Sequence, residues 1–273
     1  MTKDMILIIG GGSMGFAIAS GIAQKDKNKK SQIIFAEKKK DRIKFLKKYK
    51  FQVFEDHIYT LKKYDKSIKI IILAIKPNEL NDVLEQAKSY IPLNAVIVSI
   101  LAGTTIKKLS LKLSKYQPIS RVMPNTPAKI NEAMSAITFN KYVKEQQKKN
   151  IIKVFQSIGQ VIEVQEKYFD LVTSVSGSGP AYFCYFIECM VNAGEKLGLP
   201  YDTAYKLALQ TSYGTSALLL KNNLTPKALR EMVTSKKGTT EAALNIFQNS
   251  NFYNIIEKAI SQANKRAKEL SKL

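Results

Sequence analysis

No run of 18 apolar residues occurs in this 273-residue chain, so a hydrophobic membrane-spanning helix is not expected. Between the polar start Met1-Thr2-Lys3-Asp4 and the first glycine stand only Met5–Ile9. That is too short for a signal-peptide core, and the sequence reads as cytoplasmic. Cysteine is scarce: Cys184 and Cys189 are the only two. Their spacing of five does not put both on one helical face, and no histidine lies nearby, so no metal site is expected. Both lie in the apolar stretch 181–190 and read as buried, reduced thiols. Histidine is scarcer still. His57 follows Asp56 near an expected helix start and reads as a capping or surface residue rather than a catalyst. No Asp, Glu or His stands out as a general acid. Acidic side chains are also few, 22 against 43 Lys and Arg, for a net charge of +21. The excess lies in residues 1–165, which carry +17 against +4 for the remainder. These lysines are scattered over expected helix surfaces and turns without interleaved aromatics, so a nucleic-acid partner is not expected. The field they create favours anionic ligands.

At 45% hydrophobic content the chain can bury a large core, as one large or two modest domains. Met5-Ile6-Leu7-Ile8-Ile9 is apolar without alternation, as suits a strand covered on both faces. Gly10-Gly11-Gly12-Ser13-Met14-Gly15 follows and meets the G-x-G-x-x-G spacing of dinucleotide-binding turns. In that pattern Gly10 permits the turn, Gly12 admits a pyrophosphate to the backbone, and Gly15 lets the next helix pack closely. The helix then points its first amides at the phosphates. Ile9 through Gly15 are therefore the first cofactor-binding candidates.

Strand 32–36 ends at Glu37, 22 residues past Gly15, where such folds bind ribose hydroxyls. Lys38, Lys39 and Lys40 follow at once and suit a 2′-phosphate. Glu37 favours NAD and the lysines favour NADP. Three lysines oppose the dipole of the helix they begin, which tips the reading towards NADP, with NAD as the alternative. Further buried strands, 70–74, 95–99 and 119–123, end in loops that would line the same crevice. Those loops supply Ala74, Ile75, Lys76 and Pro77, then Leu101, Ala102 and Gly103, then Asn125 within a Pro-Asn-Thr-Pro turn. Strand 134–139, helix 144–157 and strand 160–164 complete about eight strands in an α/β pattern.

Beyond Gln165 the pattern turns helical. Ser176–Pro180 interrupts a helical region, and Pro180 begins a long apolar helix. Further helices are expected at 202–221, from Pro226 behind the cap Thr225, from about Thr240, and at 252–272. The domains are placed at 1–165 and 166–273. The apolar stripes of the second need burial, which a second subunit would supply.

Several segments, in order, resemble pyrroline-5-carboxylate reductases. They are the glycine turn, Ala74-Ile75-Lys76-Pro77, Ser99–Gly103, Arg121-Val122-Met123-Pro124-Asn125-Thr126-Pro127-Ala128, Ser176-Gly177-Ser178-Gly179-Pro180-Ala181-Tyr182, and Val233-Thr234-Ser235 with Gly238-Thr239-Thr240-Glu241-Ala242. The resemblance implies a Rossmann-type dinucleotide-binding domain followed by an all-α dimerisation domain with helices interlocked between subunits. It implies NAD(P)H-dependent reduction of 1-pyrroline-5-carboxylate to L-proline, and homodimers that build larger assemblies. Val233, Ser235, Gly238, Thr239 and Thr240 become the substrate-binding set. Two departures stand out. Lys236 and Lys237 replace a Pro and a Gly usual in the family loop, and a side chain is strained where glycine supplied positive φ. His57 stands where the family often has an Asn that touches the cofactor.

The chemistry is hydride transfer to the carbon of a cyclic C=N bond. The amides of Gly238, Thr239 and Thr240 at a helix start suit the substrate carboxylate, with Ser235 assisting. The Thr240 hydroxyl is placed for the imine nitrogen. The plainer explanation of Thr239 or Thr240 is a helix cap. An imine that binds already protonated removes the need for a general acid, leaving orientation and electrostatics. The alternatives are a reductase of another imine or keto acid on the same fold, and a non-catalytic dinucleotide- or nucleic-acid-binding relative.

Overall fold

The computed structural model describes residues 4–272. They fall into two compact units: one up to Gly177 together with the chain from Ala263, the other Ser178–Gln262.

The first unit is built on an eight-stranded sheet in the order β3-β2-β1-β4-β5-β6-β7-β8. The strands are β1 (Met5–Ile9), β2 (Ile33–Ala36), β3 (Gln52–Phe54), β4 (Ile68–Leu73), β5 (Val96–Ser99), β6 (Ile119–Met123), β7 (Ala133–Phe139) and β8 (Gly159–Glu163). The order of the first six is that of the dinucleotide-binding doubly wound fold. Every neighbouring pair is parallel except β6 and β7. The helices of this unit are α1 (Ser13–Lys25), α2 (Lys40–Lys48), α3 (His57–Tyr64), α4 (Leu80–Ala87), α5 (Ile106–Lys112), α6 (Glu145–Phe155) and α7 (Phe169–Val172).

All five residues of β1 are buried. Ile6 and Ile8 join Ile18 of α1 and Ile151 of α6 in one core cluster. Leu7 and Ile9 join Leu84 of α4 and Leu109 of α5 in a second. Successive side chains of a strand point to opposite faces, and here both faces are covered, so an unbroken apolar run is what the position requires.

Several expectations change. Gln32, read as the start of the second strand, instead ends a 3₁₀ helix, Lys27–Gln32, capped by Asp26. Ser176 and Gly177 do not interrupt the helical region. A π-helical turn, Thr173–Gly177, carries it on from α7.

The second unit holds α8 (Gly179–Lys196), α9 (Tyr201–Asn222), α10 (Pro226–Met232), α11 (Thr239–Asn249) and the first half of α12 (Phe252–Lys272). Pro180 falls in the first turn of α8, and the Thr225 hydroxyl caps α10 by accepting from the Ala228 amide at 3.2 Å. The core of this unit is small: Val191, Ala204 and Ala208, with Ile187 packed against them. Large apolar side chains stand in the open, including Phe183 at 68%, Leu197 at 88% and Leu220 at 85% exposure. Cys184 and Cys189 are free but exposed, not buried as expected: the small core of this unit, Val191, Ala204 and Ala208, does not take them in. No described helix is long and apolar enough to cross a membrane.

Candidate active site

The glycine turn connects β1 to α1. Gly10 has φ of +100°, and a Cβ there would lie 2.5 Å from the carbonyl oxygen of Ala74. Glycine is required on both counts. A Cβ on Gly15 would collide with the Gly10 carbonyl oxygen, so the third glycine sets how closely α1 approaches the turn. Gly12 is the N-cap of α1 and has no side chain to cap with, while a Cβ there would meet nothing. The first amides of α1 have no intrahelical acceptor and form an anion site.

Gly11 is clamped from both sides. Its N–H donates to Glu37 Oε2 at 2.7 Å. Its carbonyl accepts from Arg42 Nε at 2.8 Å and Nη2 at 2.6 Å. The other Glu37 oxygen accepts from the Lys39 amide at 2.8 Å. Glu37 thus holds the turn together with both oxygens engaged. Arg42 is the residue that the sequence reading missed. Its signal was present: it is one of four arginines in a lysine-rich chain, and it stands one helical turn past Lys38 and Lys39.

These groups border a cavity of about 590 Å³. It lies at the carboxyl ends of β1, β2 and β4, where the strand order reverses and such folds open their ligand crevice. Of the candidates, Ile9, Gly10, Gly12, Ser13, Glu37, Lys38, Ala74, Ile75 and Lys76 line it. Lys39 and His57 line it too, as do Arg42, Glu55, Glu79, Asp82 and Val83, which the sequence did not single out. Gly11, Met14, Gly15 and Pro77 do not line the cavity. Gly11 and Gly15 shape the turn, and Pro77 starts a short 3₁₀ helix whose Glu79 accepts from the Lys76 amide at 3.0 Å.

His57 is neither a surface residue nor the cap. It is 3% exposed. The capping residue is Asp56, whose carboxylate accepts from the Ile58 amide at 2.7 Å. Burial lowers the imidazole pKa from its ordinary 6.5, Lys38 lowers it further, and Asp56 and a backbone hydrogen bond to Val83 oppose them.

The remaining candidates are tied into the fold. Leu101 is buried, and its amide donates to Ser99 Oγ at 3.3 Å. Gly103 has φ of +71°, and a Cβ there would lie 2.8 Å from the carbonyl oxygen of Leu270. The backbone that approaches this glycine is the last turn of α12. Asn125 bridges segments: its Oδ1 accepts from the Met134 amide at 2.9 Å, and its Nδ2 donates to the Ser176 carbonyl at 3.3 Å. Ala102 is half-buried beside these groups.

Arg121, quoted above only as part of a motif, is a buried ion-pair centre. Its Nη1 stands 3.3 Å from Glu166 and its Nη2 3.9 Å from Asp170, with the guanidinium over the Phe169 ring. Glu166 also accepts from the Ile106 amide, and Asp170 from the Ser271 hydroxyl, both at 2.7 Å. Burial lowers the Arg121 pKa, while the two carboxylates favour its charged form.

The proposed substrate residues belong to the other compact unit. Gly238, not Thr239 or Thr240, is the N-cap of α11, so neither threonine hydroxyl serves as a cap. Thr240 is half-buried, and Val233, Ser235 and Thr239 are exposed. A Cβ on Gly238 would collide with Ser235 Oγ, which keeps the Ser235 side chain against the helix start. Of the two unusual lysines, Lys237 has φ of +57°, the left-handed region that glycine favours. Its amide donates to Glu241 Oε2 at 2.7 Å and holds the turn.

Two family models match: one described as pyrroline-5-carboxylate reductase dimerisation, over residues 166–270, and one described as NADP oxidoreductase coenzyme F420-dependent, over residues 5–103. The chain is 34% identical to pyrroline-5-carboxylate reductase 1 of Bacillus subtilis, over 99% of this chain and 93% of that one. It is 35% identical to pyrroline-5-carboxylate reductase of Synechocystis, over 97% of each. Among solved structures, a pyrroline-5-carboxylate reductase from Coxiella burnetii superposes with a TM-score of 0.91 at 30% identity, covering all of both chains. The Plasmodium falciparum pyrroline carboxylate reductase, solved with NADP bound, superposes with a TM-score of 0.85 at 29% identity over 99% of each.

Proposed function

Because the chain belongs to the pyrroline-5-carboxylate reductase family, we propose a division of labour between its two parts. It is an NADP(H)-dependent oxidoreductase that reduces 1-pyrroline-5-carboxylate to L-proline. Residues 1–165 hold the dinucleotide, and residues 166–273 hold the substrate and self-associate.

The observation that carries the cofactor half is the cavity beside the glycine turn. A pyrophosphate fits where Gly12 leaves space before the first amides of α1. Both Glu37 oxygens already accept from backbone amides, while Lys38, Lys39 and the remaining donors of Arg42 on the same wall can pair with a 2′-phosphate. That balance supports NADP over NAD. When bound, the nicotinamide supplies the hydride.

The chain's own task at the other end is to bind and orient the imine. The first-turn amides at Thr239 and Thr240 receive the carboxylate, assisted by Ser235, Gly238 and the neighbouring Val233. The Thr240 hydroxyl holds the ring nitrogen. That hydroxyl is not consumed as a helix cap, which supports this role. A protonated imine needs no acid: hydride forms the new C–H bond, the C=N π pair becomes the amine lone pair, and the product takes its final proton from water. Exposed apolar side chains on α8, α9 and α11 support a homodimer, and larger assemblies of dimers are consistent with that surface.

The test is reduction of pyrroline-5-carboxylate, measured with NADPH and NADH and compared with other cyclic imines. Thr240→Ala should lower kcat by about 10- to 100-fold, as loss of one positioned hydrogen bond, here the iminium N–H donating to the Thr240 hydroxyl oxygen, does. An unchanged kcat at saturating NADPH removes Thr240 from the mechanism.

A further inference from the structure

Among the cavity's lining groups that the reaction does not use is a buried imidazole. His57 is the chain's single histidine, and it lines the cavity while 3% exposed. Its Nε2 is shielded from solvent and has no hydrogen-bond partner among the described residues. An unpartnered buried ring nitrogen is unfavourable. Such a group persists where something else compensates for it, and the cavity wall shows what that is.

The charges around the ring come from several elements. Lys38, after β2, opposes an imidazolium, and Asp56, at the cap of α3, favours one, as does the Val83 backbone of α4. The same wall carries Lys39, Arg42 and Lys76, with Glu37, Glu55, Glu79 and Asp82 as the carboxylates. Two of those carboxylates are already spent on backbone amides, Glu37 at Gly11 and Lys39, and Glu79 at Lys76. A dianion brought next to Lys38 reverses the local field at His57.

We propose that His57 couples recognition of a ribose phosphomonoester to proton uptake: the ring is neutral in the free protein and gains a proton when a 2′-phosphorylated dinucleotide enters the cavity. The proton comes from solvent and goes to a ring nitrogen, and no covalent bond forms or breaks. A dinucleotide without the 2′-phosphate brings no dianion to Lys38 and takes up no proton. This inference rests on placing the adenosine end of the dinucleotide in this cavity.

Calorimetric titration of the whole enzyme with NADP⁺ and with NAD⁺, in buffers of different ionisation enthalpy, reads the proton count directly. At pH 7.5 the expected uptake is about 0.5 to 1 proton for NADP⁺ and none for NAD⁺. The phosphate itself works with the opposite sign, because its second pKa near 6 makes it release about 0.1 proton or less. From pH 7 to pH 8 the NADP⁺ Kd should weaken by about three- to tenfold, with the NAD⁺ Kd unchanged. His57→Gln and His57→Asn should abolish both the uptake and the slope.

Uptake that persists in these variants overturns the proposal, as does wild-type binding of NADP⁺ without uptake. The second of these outcomes is read on the wild type and needs no folded variant. Arg42→Ala separates this inference from the reading beneath it. If that variant weakens NADP⁺ binding while His57→Gln keeps the proton uptake, only the inference fails. If neither variant affects NADP⁺ binding, the placement of the dinucleotide fails.

Discussion

Replacing Lys237 by glycine should stabilise the protein, although most lysine-to-glycine changes do the reverse. Lys237 has φ of +57°, which places its Cβ against the backbone at a cost of about 1–2 kcal/mol. Glycine removes that strain but loses more backbone freedom on folding, which costs about 0.5–1 kcal/mol. The backbone N–H to Glu241 Oε2 survives the substitution. The net expectation is a gain of about 0.5 kcal/mol, or a rise in Tm of about 1–2 °C for a chain of this size. Lys236 is the control. It lies in the same turn, is also exposed, and is not among the residues with positive φ. Lys236→Gly has no strain to relieve and should lower Tm by about 1–3 °C. Both variants remove a cation beside the proposed carboxylate site, so both should raise KM for the imine, by about two- to fivefold, while kcat holds. The assay is thermal unfolding at one fixed protomer concentration, because self-association makes Tm concentration-dependent, paired with steady-state kinetics. If Lys237→Gly lowers Tm as much as Lys236→Gly does, the strain argument is refuted.

Arg121→Met should cost about 3 kcal/mol in chemical denaturation, because it leaves Glu166 and Asp170 without their shared cation. A loss under about 1 kcal/mol would show that the pair contributes little. Gly10→Ala should abolish binding of NADPH and NADH alike, since the added methyl lies 2.5 Å from the Ala74 carbonyl oxygen in a backbone conformation that alanine resists; fluorescence titration with both nucleotides checks this. The folded pKa of His57 lies below its unfolded value of 6.5, so the unfolded chain binds more protons below that pH. Its contribution is therefore neutral above about pH 6.5 and becomes destabilising as pH falls, and His57→Gln should flatten the acid limb of a stability–pH curve measured without nucleotide.

The nucleotide-binding half was legible because its determinants are local. The strands expected at Met5–Ile9 and Ile119–Met123 reappear with the same bounds. The Gly10, Gly12 and Gly15 spacing depends on a few consecutive dihedrals and on the helix that follows at once. The strain anticipated for the family-atypical lysines is also a local property, and the structure assigns it to Lys237 rather than Lys236.

What the tertiary structure alone decided involves distant partners, on which periodicity is silent. The antiparallel course of β7 depends on the short connection from β6 and on pairing such as Val122 with Ile137. Arg42 could be ranked above its lysine neighbours only once α2 had carried it to the Gly11 carbonyl, 31 residues away. At Gly103 the sequence shows a small residue at a strand end, and only the tertiary structure brings Leu270 against it from the far end of the chain. His57 reads as a surface residue until the packing of α3 and α4 encloses it. Cys184 and Cys189 show the converse: their apolar surroundings imply burial, but the core of their unit forms around Val191, Ala204 and Ala208 and leaves them exposed. Sequence by itself determines which segments must be covered. Register, crossover and partner determine what covers them, because burial is a property of contacts between segments and not of the segment alone.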